Sequence, residues 1–328
     1  MTWSSADSTV LVTGAQGFIG SWLAERLLDD GARVVVLRRD AEPEARFRTE
    51  GVEDRCVVAL ADVQDYAALV RVLNEHDVDS VFHLAAQTIV GTANRSPLST
   101  FEANVRGTYL LLEACRAVGG AIGRIVVASS DKAYGSHDAL PYREDFPLQP
   151  TFPYDVSKAC TDMIARSFAA TYGLPIAVTR LANVYGGGDL NWSRLIPDSC
   201  RSLIAGEPPV LRSDGSPQRD YLHVDDAVDA YLAIAASLDR AELRGRAWNA
   251  GWGAPVSARE VVDRLIAVSG RDVEPDVRGT GTPHGEIDRQ YLDSSAIRAE
   301  LGWEPRVALD DGLRRTFDWY AHRLAELI

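Results

Sequence analysis

With 328 residues, 46% of them hydrophobic and 25% charged, the chain can bury one large core or two smaller ones, and it has no low-complexity tract. A net charge of −13 lacks the basic footprint that nucleic acid or an acidic membrane requires, although local Arg and helix dipoles could still hold an anion. Four scattered cysteines (Cys56, Cys115, Cys160, Cys200), a polar start with no signal peptide and no apolar run near the ~20 residues that span a bilayer point to a soluble cytoplasmic protein without disulfide or metal.

In chain order, the first signal is a short apolar strand at 10–12 followed at once by T-G-A-Q-G-F-I-G. Gly14, Gly17 and Gly20 stand in G-x-x-G-x-x-G spacing, and 19–28 has helical periodicity ended by Gly31. Strand, glycine turn and helix together are the setting of a dinucleotide fingerprint, in which the backbone approaches a pyrophosphate at a helix N-terminus. Gln16, Phe18 and Ile19 lie within that turn and are expected at the same ligand; the alternative is a merely tight turn. A buried strand at 33–37 runs into Arg38 and Arg39, with Asp40 behind. An acid here would bind the ribose 2′-OH of NAD, an Arg the 2′-phosphate of NADP. Arg38 stands where the acid would, so NADP is favoured over NAD; otherwise both Arg are solvated and Asp40 meets the ribose.

A strand at 57–60 leads to Ala61, Asp62 and Val63, where Asp62 could accept from an adenine amino group; Asp65 is the better cap for the helix beginning at Tyr66. A strand at 81–84 runs through Leu84 into Ala85, Ala86 and Gln87, small residues where a strand end must pass close to a cofactor. His83 reads as structural. A long helix is expected at 101–118, with Asn104 either a helix-start contact or a brace for the site backbone.

The stretch 124–158 organises the chain. It reads as a strand ending in Ser129, Ser130, Asp131 and Lys132, then a loop, then a helix from Pro153 to Gly173 carrying Tyr154 and Lys158. Tyr and Lys four apart share a helix face, and an ammonium beside a phenol lowers its pKa, which makes Tyr154 a usable proton acceptor. With a further strand at 176–180, residues 1–180 read as an α/β doubly wound parallel sheet, and every motif falls at a strand C-terminus. Residues 181–328 change character: a Gly-rich loop and helix over 183–197, an extended piece at 207–211, Arg219 before a short strand, Asp225 at a helix start, a helix at 257–269, irregular chain at 278–290 and a closing helix at 309–328. They read as a smaller substrate domain interleaved with returns to the sheet near 221–250.

T-G-A-Q-G-F-I-G, H-L-A-A, Y-D-V-S-K, the N-V-Y-G loop and R-D-Y-L-H-V-D-D together resemble the extended short-chain dehydrogenase/reductases that act on nucleotide sugars, over essentially the whole chain. Ser130-Asp131-Lys132 is similar to the Asp-Lys variant found in CDP-glucose 4,6-dehydratases and UDP-GlcNAc dehydratases. The stretches F-H-L-A-A-Q at 82–87 and G-G-G-D…R-L-I-P-D at 186–198 also resemble the CDP-glucose group. The resemblance implies a Rossmann-like fold, a homodimer, a nucleoside-diphosphate hexose as substrate, and a tightly bound nicotinamide cofactor that is recycled. It implies Tyr154 as base at the sugar 4-OH, Lys158 on the nicotinamide ribose, and Ser130, with Ser129 beside it, on the 4-oxygen. Lys132 would be the C5 base and Asp131 the acid at the 6-hydroxyl, unless the two form a surface ion pair. Gln87, Asn183, Arg194, Leu195, Ile196, Arg219 and Arg278 would hold the substrate. The alternatives are a 4-epimerase, which needs Tyr154 and Lys158 but neither Asp131 nor Lys132, and a non-catalytic NADP-sensing protein, which would need a broken Tyr/Lys pair.

Overall fold

The structure is a computed structural model that describes residues 4–281 and 287–325. Six strands follow one another: β1 (Thr9–Thr13), β2 (Arg33–Arg38), β3 (Val57–Leu60), β4 (Ser80–His83), β5 (Arg124–Ala128) and β6 (Ile176–Leu181). The chain then leaves for β7 (Asn183–Tyr185), β8 (Val210–Leu211) and β9 (Gln218–His223), returns for β10 (Ala247–Ala250), and leaves again for β11 (Pro255–Ser257), β12 (Asp276–Val277) and β13 (Arg289–Gln290). The seven-stranded sheet has the order β10-β6-β5-β4-β1-β2-β3, every pair parallel. This is the Rossmann-like, doubly wound arrangement, and its strand order reverses between β1 and β4. In the smaller sheet β9 pairs with β7 and β13 in parallel and with β11 antiparallel, while β8 and β12 pair with each other.

The helices are α1 (Phe18–Asp29), α2 (Arg46–Thr49), α3 (Tyr66–Glu75), α4 (Val90–Arg95), α5 (Pro97–Phe101), α6 (Gly107–Val118), α7 (Pro153–Tyr172), α8 (Leu195–Ala205), α9 (Val224–Ser237), α10 (Ala258–Ser269), α11 (Ser295–Leu301) and α12 (Leu309–Ala325). Successive strand side chains point to opposite faces. Val34 and Val36 therefore join the core under α1 and α9, and Val35 the core under α3, α6 and α7. Each fully buried Val or Leu of these clusters contributes about 1.5–3 kcal/mol. A third core, with Tyr185, Cys200, Leu265 and Tyr320, holds α8, α10 and α12 together. Asp65 caps α3 as expected, accepting from Ala68 N at 3.0 Å, and Gly173 ends α7 in the left-handed conformation. No helix among the described residues is long and apolar enough to cross a membrane.

Two elements differ from expectation. The strand before the Asp-Lys pair stops at Ala128, and Asp131–Tyr134 turns into a 3-10 helix because the Ser130 hydroxyl caps Lys132 N (3.2 Å). The long helix expected at 101–118 is interrupted by a π-helical turn, Glu102–Arg106, between α5 and α6. That turn leaves the Asn104 carbonyl accepting from the hydroxyls of Thr108 (2.5 Å) and Thr161 (3.1 Å), which ties α6 to α7. Such bulges recur beside functional sites. Of the irregular stretch expected at 278–290, residues 282–286 lie outside the described residues, as do 326–328 of the closing helix.

α7 is anchored by a buried ion pair. Arg180 on β6 is 1% exposed and donates to both oxygens of Asp162 (2.8 and 3.0 Å), to the Tyr134 hydroxyl (2.8 Å) and to the Glu144 carbonyl (3.2 Å). Removing one partner leaves the other charge buried alone. Arg180→Met is thus expected to cost about 3–5 kcal/mol, and Arg180→Met with Asp162→Leu to recover most of it. Urea unfolding measures both; a single-variant loss under about 1 kcal/mol would contradict this.

Candidate active site

The site lies at the C-terminal ends of the strands, where the order reverses. Gly14 follows β1 with a φ of +77°, and a Cβ there would sit 2.7 Å from Ala85 N in the loop after β4. The two loops touch through a glycine that no other residue replaces without displacing backbone. Gly17 is the N-cap of α1 and no side chain caps that helix, so its first amides and its dipole remain for an anion. Gln16 bridges to the loop after β2 by donating to the Asp40 carbonyl (2.8 Å) and accepting from Glu42 N (3.2 Å). A glycine cradle against β4 and an uncapped twelve-residue helix fit the pyrophosphate of a dinucleotide.

The candidate catalytic side chains come from α7 and the turn after β5. Lys158 is buried and donates from Nζ to the Ala128 carbonyl (2.7 Å), while the Ser129 hydroxyl donates to the Lys158 carbonyl (3.1 Å). This reciprocal pair seats α7 on the end of β5. The Ser130 hydroxyl lies beside the Tyr154 phenol and donates to Asp131 Oδ1 (3.0 Å). Asp131 is 2% exposed, and its Oδ2 is buried without a hydrogen-bond partner. Lys132 donates from Nζ to Gln290 Oε1 (2.6 Å). Asp131 is buried and Lys132 turns to Gln290, so the two do not form a surface ion pair with each other. Of the chain's 34 Lys and Arg residues, Lys132 and Lys158 alone are lysines. Arg cannot give up its proton near neutral pH, so the chain's two titratable side-chain amines both stand here.

The electrostatics correct one expectation. Burial pushes Tyr154 up to about 12, against the nearby positive charge of Arg194 and the neighbouring Ser130 hydroxyl. The cation that favours the phenolate is Arg194; Lys158 is turned to the Ala128 carbonyl, and burial pushes it down to about 8. His83 is structural: burial pushes it down to about 3, and its two nitrogens bond Thr13 (2.8 Å) and Thr108 (2.9 Å). Asn104 braces the site, accepting from Gln87 N (2.7 Å) and donating to the Ser157 hydroxyl (2.8 Å).

The other residues expected at a ligand have the following surroundings in the protein. Ser129 spends its hydroxyl on the Lys158 carbonyl. Ile196 is buried in the third core with Leu195 packed against it, and Val63 is buried against Gly107. Arg278 is exposed and paired with Asp276 (2.7 Å). Arg38 is bonded to Glu53 and Arg39 to Asp40 (2.5 Å). Asp62 accepts from Gln64 N (2.9 Å), and Phe18 and Ile19 begin α1. Leu84 and Ala85 bond from their amides to the Thr13 carbonyl (3.1 Å) and hydroxyl (3.2 Å), with Ala86 and Gln87 following. Arg194 pairs with Asp189 (2.8 Å), Arg219 donates to the Gln218 and Asp288 carbonyls, and Asn183 has a buried Nδ2 with no partner. Sequence reasoning missed Asp155, buried within reach of Lys132 and Asp131, and Gln290, which comes from the other end of the chain. The position of Asp155, next to Tyr154, was the available signal for the first; nothing local marks the second. Among the described residues no group of His, Cys, Asp or Glu could hold a metal ion.

A doubly wound sheet with a glycine cradle and a Ser–Tyr–Lys group at its strand ends is the arrangement of the extended short-chain dehydrogenase/reductases. The chain belongs to the NAD dependent epimerase/dehydratase family, whose model matches residues 10–251. It is 32% identical to the CDP-glucose 4,6-dehydratase of Salmonella typhimurium over 95% of this chain and 90% of that protein. It is 33% identical to the UDP-glucose 4-epimerase of Mycolicibacterium smegmatis over 95% and 98% of the two. A crystal structure of dTDP-glucose 4,6-dehydratase from Streptomyces venezuelae with NAD bound is similar over 97% of this chain and 98% of its own, with a TM-score of 0.86 and 32% identity.

Burial, with the charge of Asp131 adding, pushes the Asp155 carboxyl up to about 6 against the pull of Lys132. A folded pKa above the unfolded value means a contribution to stability that is present below the unfolded pKa and lost as pH rises through about 6. Asp155→Asn, uncharged throughout, is expected to stabilise by about 1–2 kcal/mol near pH 8 and by almost nothing near pH 4. Denaturant unfolding at the two pH values checks this; equal effects at both would mean that the buried charge is not the cause.

Proposed function

We propose that the protein is a nucleotide-sugar 4,6-dehydratase, which removes water from a nucleoside-diphosphate hexose and leaves its 4-keto-6-deoxy derivative. The observation that carries this reading is Asp131 and Lys132, held at the end of β5 beside Tyr154 with one Asp131 oxygen buried and unpartnered. A 4-epimerase has no use for that pair. The equal similarity to a UDP-glucose 4-epimerase makes epimerisation the second reading. In this proposal residues 1–180 hold the cofactor, with the returning segments near 221–250, and residues 181–328 supply the substrate domain.

The amides at Gly14, Gly17, Phe18 and Ile19 would hold the pyrophosphate of a nicotinamide dinucleotide, and Lys158 its nicotinamide ribose. When bound, that group supplies the hydride acceptor at C4 and the donor at C6. Tyr154 takes the proton of the sugar 4-hydroxyl; Ser130 and the charge of Arg194 favour its phenolate against burial. The 4-ketone acidifies the C5 proton, Lys132 removes it, Asp131 protonates the departing 6-hydroxyl, which leaves as water, and protonated Lys132 returns a proton to C5 as C6 is reduced. Asn183, Arg194 and Arg219 would hold the diphosphate and base. NADP is the favoured cofactor because Arg38 and Arg39 stand side by side at the end of β2, where a 2′-phosphate would compete with Glu53 and Asp40 for them. The four cysteines are free, in keeping with a reducing cytoplasm.

Mass spectrometry of products from UDP-, dTDP-, GDP- and CDP-hexoses, each with NAD and with NADP, is expected to show loss of one water from a single nucleotide sugar, with NADP giving the greater turnover. Lys132→Ala should slow that loss about 100-fold or more with cofactor binding intact. An unchanged mass with a new stereoisomer makes the protein an epimerase, and faster turnover with NAD overturns the NADP assignment.

A homodimer belongs to the same proposal. Leu98, Phe101, Tyr109, Met163 and Tyr172, on α5, α6 and α7, are exposed on the helices that cover one face of the sheet. Gel filtration with light scattering at micromolar protein is expected to give the mass of two chains; a monomer alone would refute it.

A further inference from the structure

We propose that Gln290 is a positioning residue for Lys132, holding the amine in place through a neutral acceptor that does not lock it in its charged form. The role of Lys132 as C5 base rests on the dehydratase reading; the contact rests on geometry. Gln290 is fully buried, its Nε2 donates to the Asp131 carbonyl (2.9 Å), and its Oε1 accepts from Lys132 Nζ (2.6 Å). A carbonyl can only accept, so the first bond dictates the amide's orientation and turns its oxygen to the lysine.

The chain on both sides of Gln290 is pinned. β13 pairs Arg289 with Gln218 and Gln290 with Arg219. Just beyond it, the Tyr291 carbonyl accepts from Tyr142 N, and Asp293 N donates to the Tyr142 carbonyl, each at 2.9 Å. Leu292 N (3.4 Å) converges with Trp252 N (2.9 Å) and Gly253 N (3.0 Å) on the buried carboxylate of Asp220. Gln290 is therefore a fixed post against which a long, flexible lysine side chain is held.

Neutrality matters because an amine acts as a base only when unprotonated. Among the described residues, Asp155 on α7 acts on Lys132, and Asp131 on the lysine's own turn acts on Tyr154 and Asp155 on α7 and on Asp220 on β9, where Arg219 stands across from Gln290. Carboxylates already outnumber cations there, and one more would favour the ammonium. An apolar side chain at 290 would take this acceptor from the lysine and strand the Asp131 carbonyl. Glutamine alone avoids both.

Because the chain has two lysines, protein labelled with carbon-13 at lysine Cε gives two side-chain signals, assigned with Lys132→Met. Titration of the wild type and Gln290→Glu is expected to raise the Lys132 midpoint by about one pH unit or more and leave Lys158 unmoved. The second readout is deuterium uptake at C5 from D2O, using the nucleotide hexose that loses water in the product assay. Its acidic limb should move up by the same amount in Gln290→Glu, and Gln290→Met should slow uptake about 10- to 100-fold at unchanged KM. A merely structural role would lower stability or move both lysines. A Lys132 midpoint unmoved in Gln290→Glu, or Gln290→Met uptake within about twofold of wild type, overturns the proposal. Should Gln290→Glu not fold, Gln290→Met carries both readouts, its Lys132 midpoint then expected to change and Lys158 not. A wild type that takes up no C5 deuterium, with a Lys132 midpoint that still follows residue 290, overturns the dehydratase reading and supports the contact.

Discussion

The site depends on one buried guanidinium. Arg180, on β6, reaches Asp162 on α7, the Tyr134 hydroxyl on the turn that carries Asp131 and Lys132, and the carbonyl of Glu144. It joins the two pieces of backbone that supply every proposed catalytic side chain. A planar fork suits this task, because it fixes angle as well as distance, and burial makes each bond costly to leave unmade. Tyr134 passes the connection on by donating to Asn249 at the end of β10, so a strand from late in the chain joins the same network. Around that centre the remaining contacts are local. Lys158 and Ser129 seat α7 on β5, and Asn104 links α7 to the loop after β4.

The site balances opposed demands on charge. Burial pushes Tyr154 up and Lys158 down, so both are biased toward their uncharged forms. Proton transfer needs groups close to that balance, and groups locked in one state transfer nothing. Asp155 and Asp220, both pushed up to about 6 by burial, each feel the charge of Asp131, and Asp155 also that of Lys132. Lysine is confined to this site in a chain whose other 32 basic residues are arginine, and arginine would be fixed in its charged state.

The doubly wound parallel sheet and the glycine turn after its first strand were legible in the sequence, because valine runs and glycine spacing are local signals with one economical solution. The end of α7 at Gly173, the cap at Asp65 and the structural role of His83 were read correctly for the same reason. Where reading failed, a side chain's partner lay elsewhere in the chain. Ile196 and Val63 belong to cores that only the folded chain brings together, and Ser129 answers to a carbonyl on α7. The π-helical turn at Glu102–Arg106 is invisible to a helical period, since one extra residue hardly alters it over four turns.

By itself the sequence determined the doubly wound sheet, the glycine turn and the residue types at the strand ends, for these depend on spacing of two to four residues along one chain. Tertiary structure decided which cation faces Tyr154, since Arg194 and Lys158 are both near in principle and only packing turns Lys158 to the Ala128 carbonyl. It also decided what holds Lys132, because a hydrogen bond across 158 positions leaves no periodic trace. Electrostatics and hydrogen bonding act through space, and the distances that set them exist only once the chain has folded.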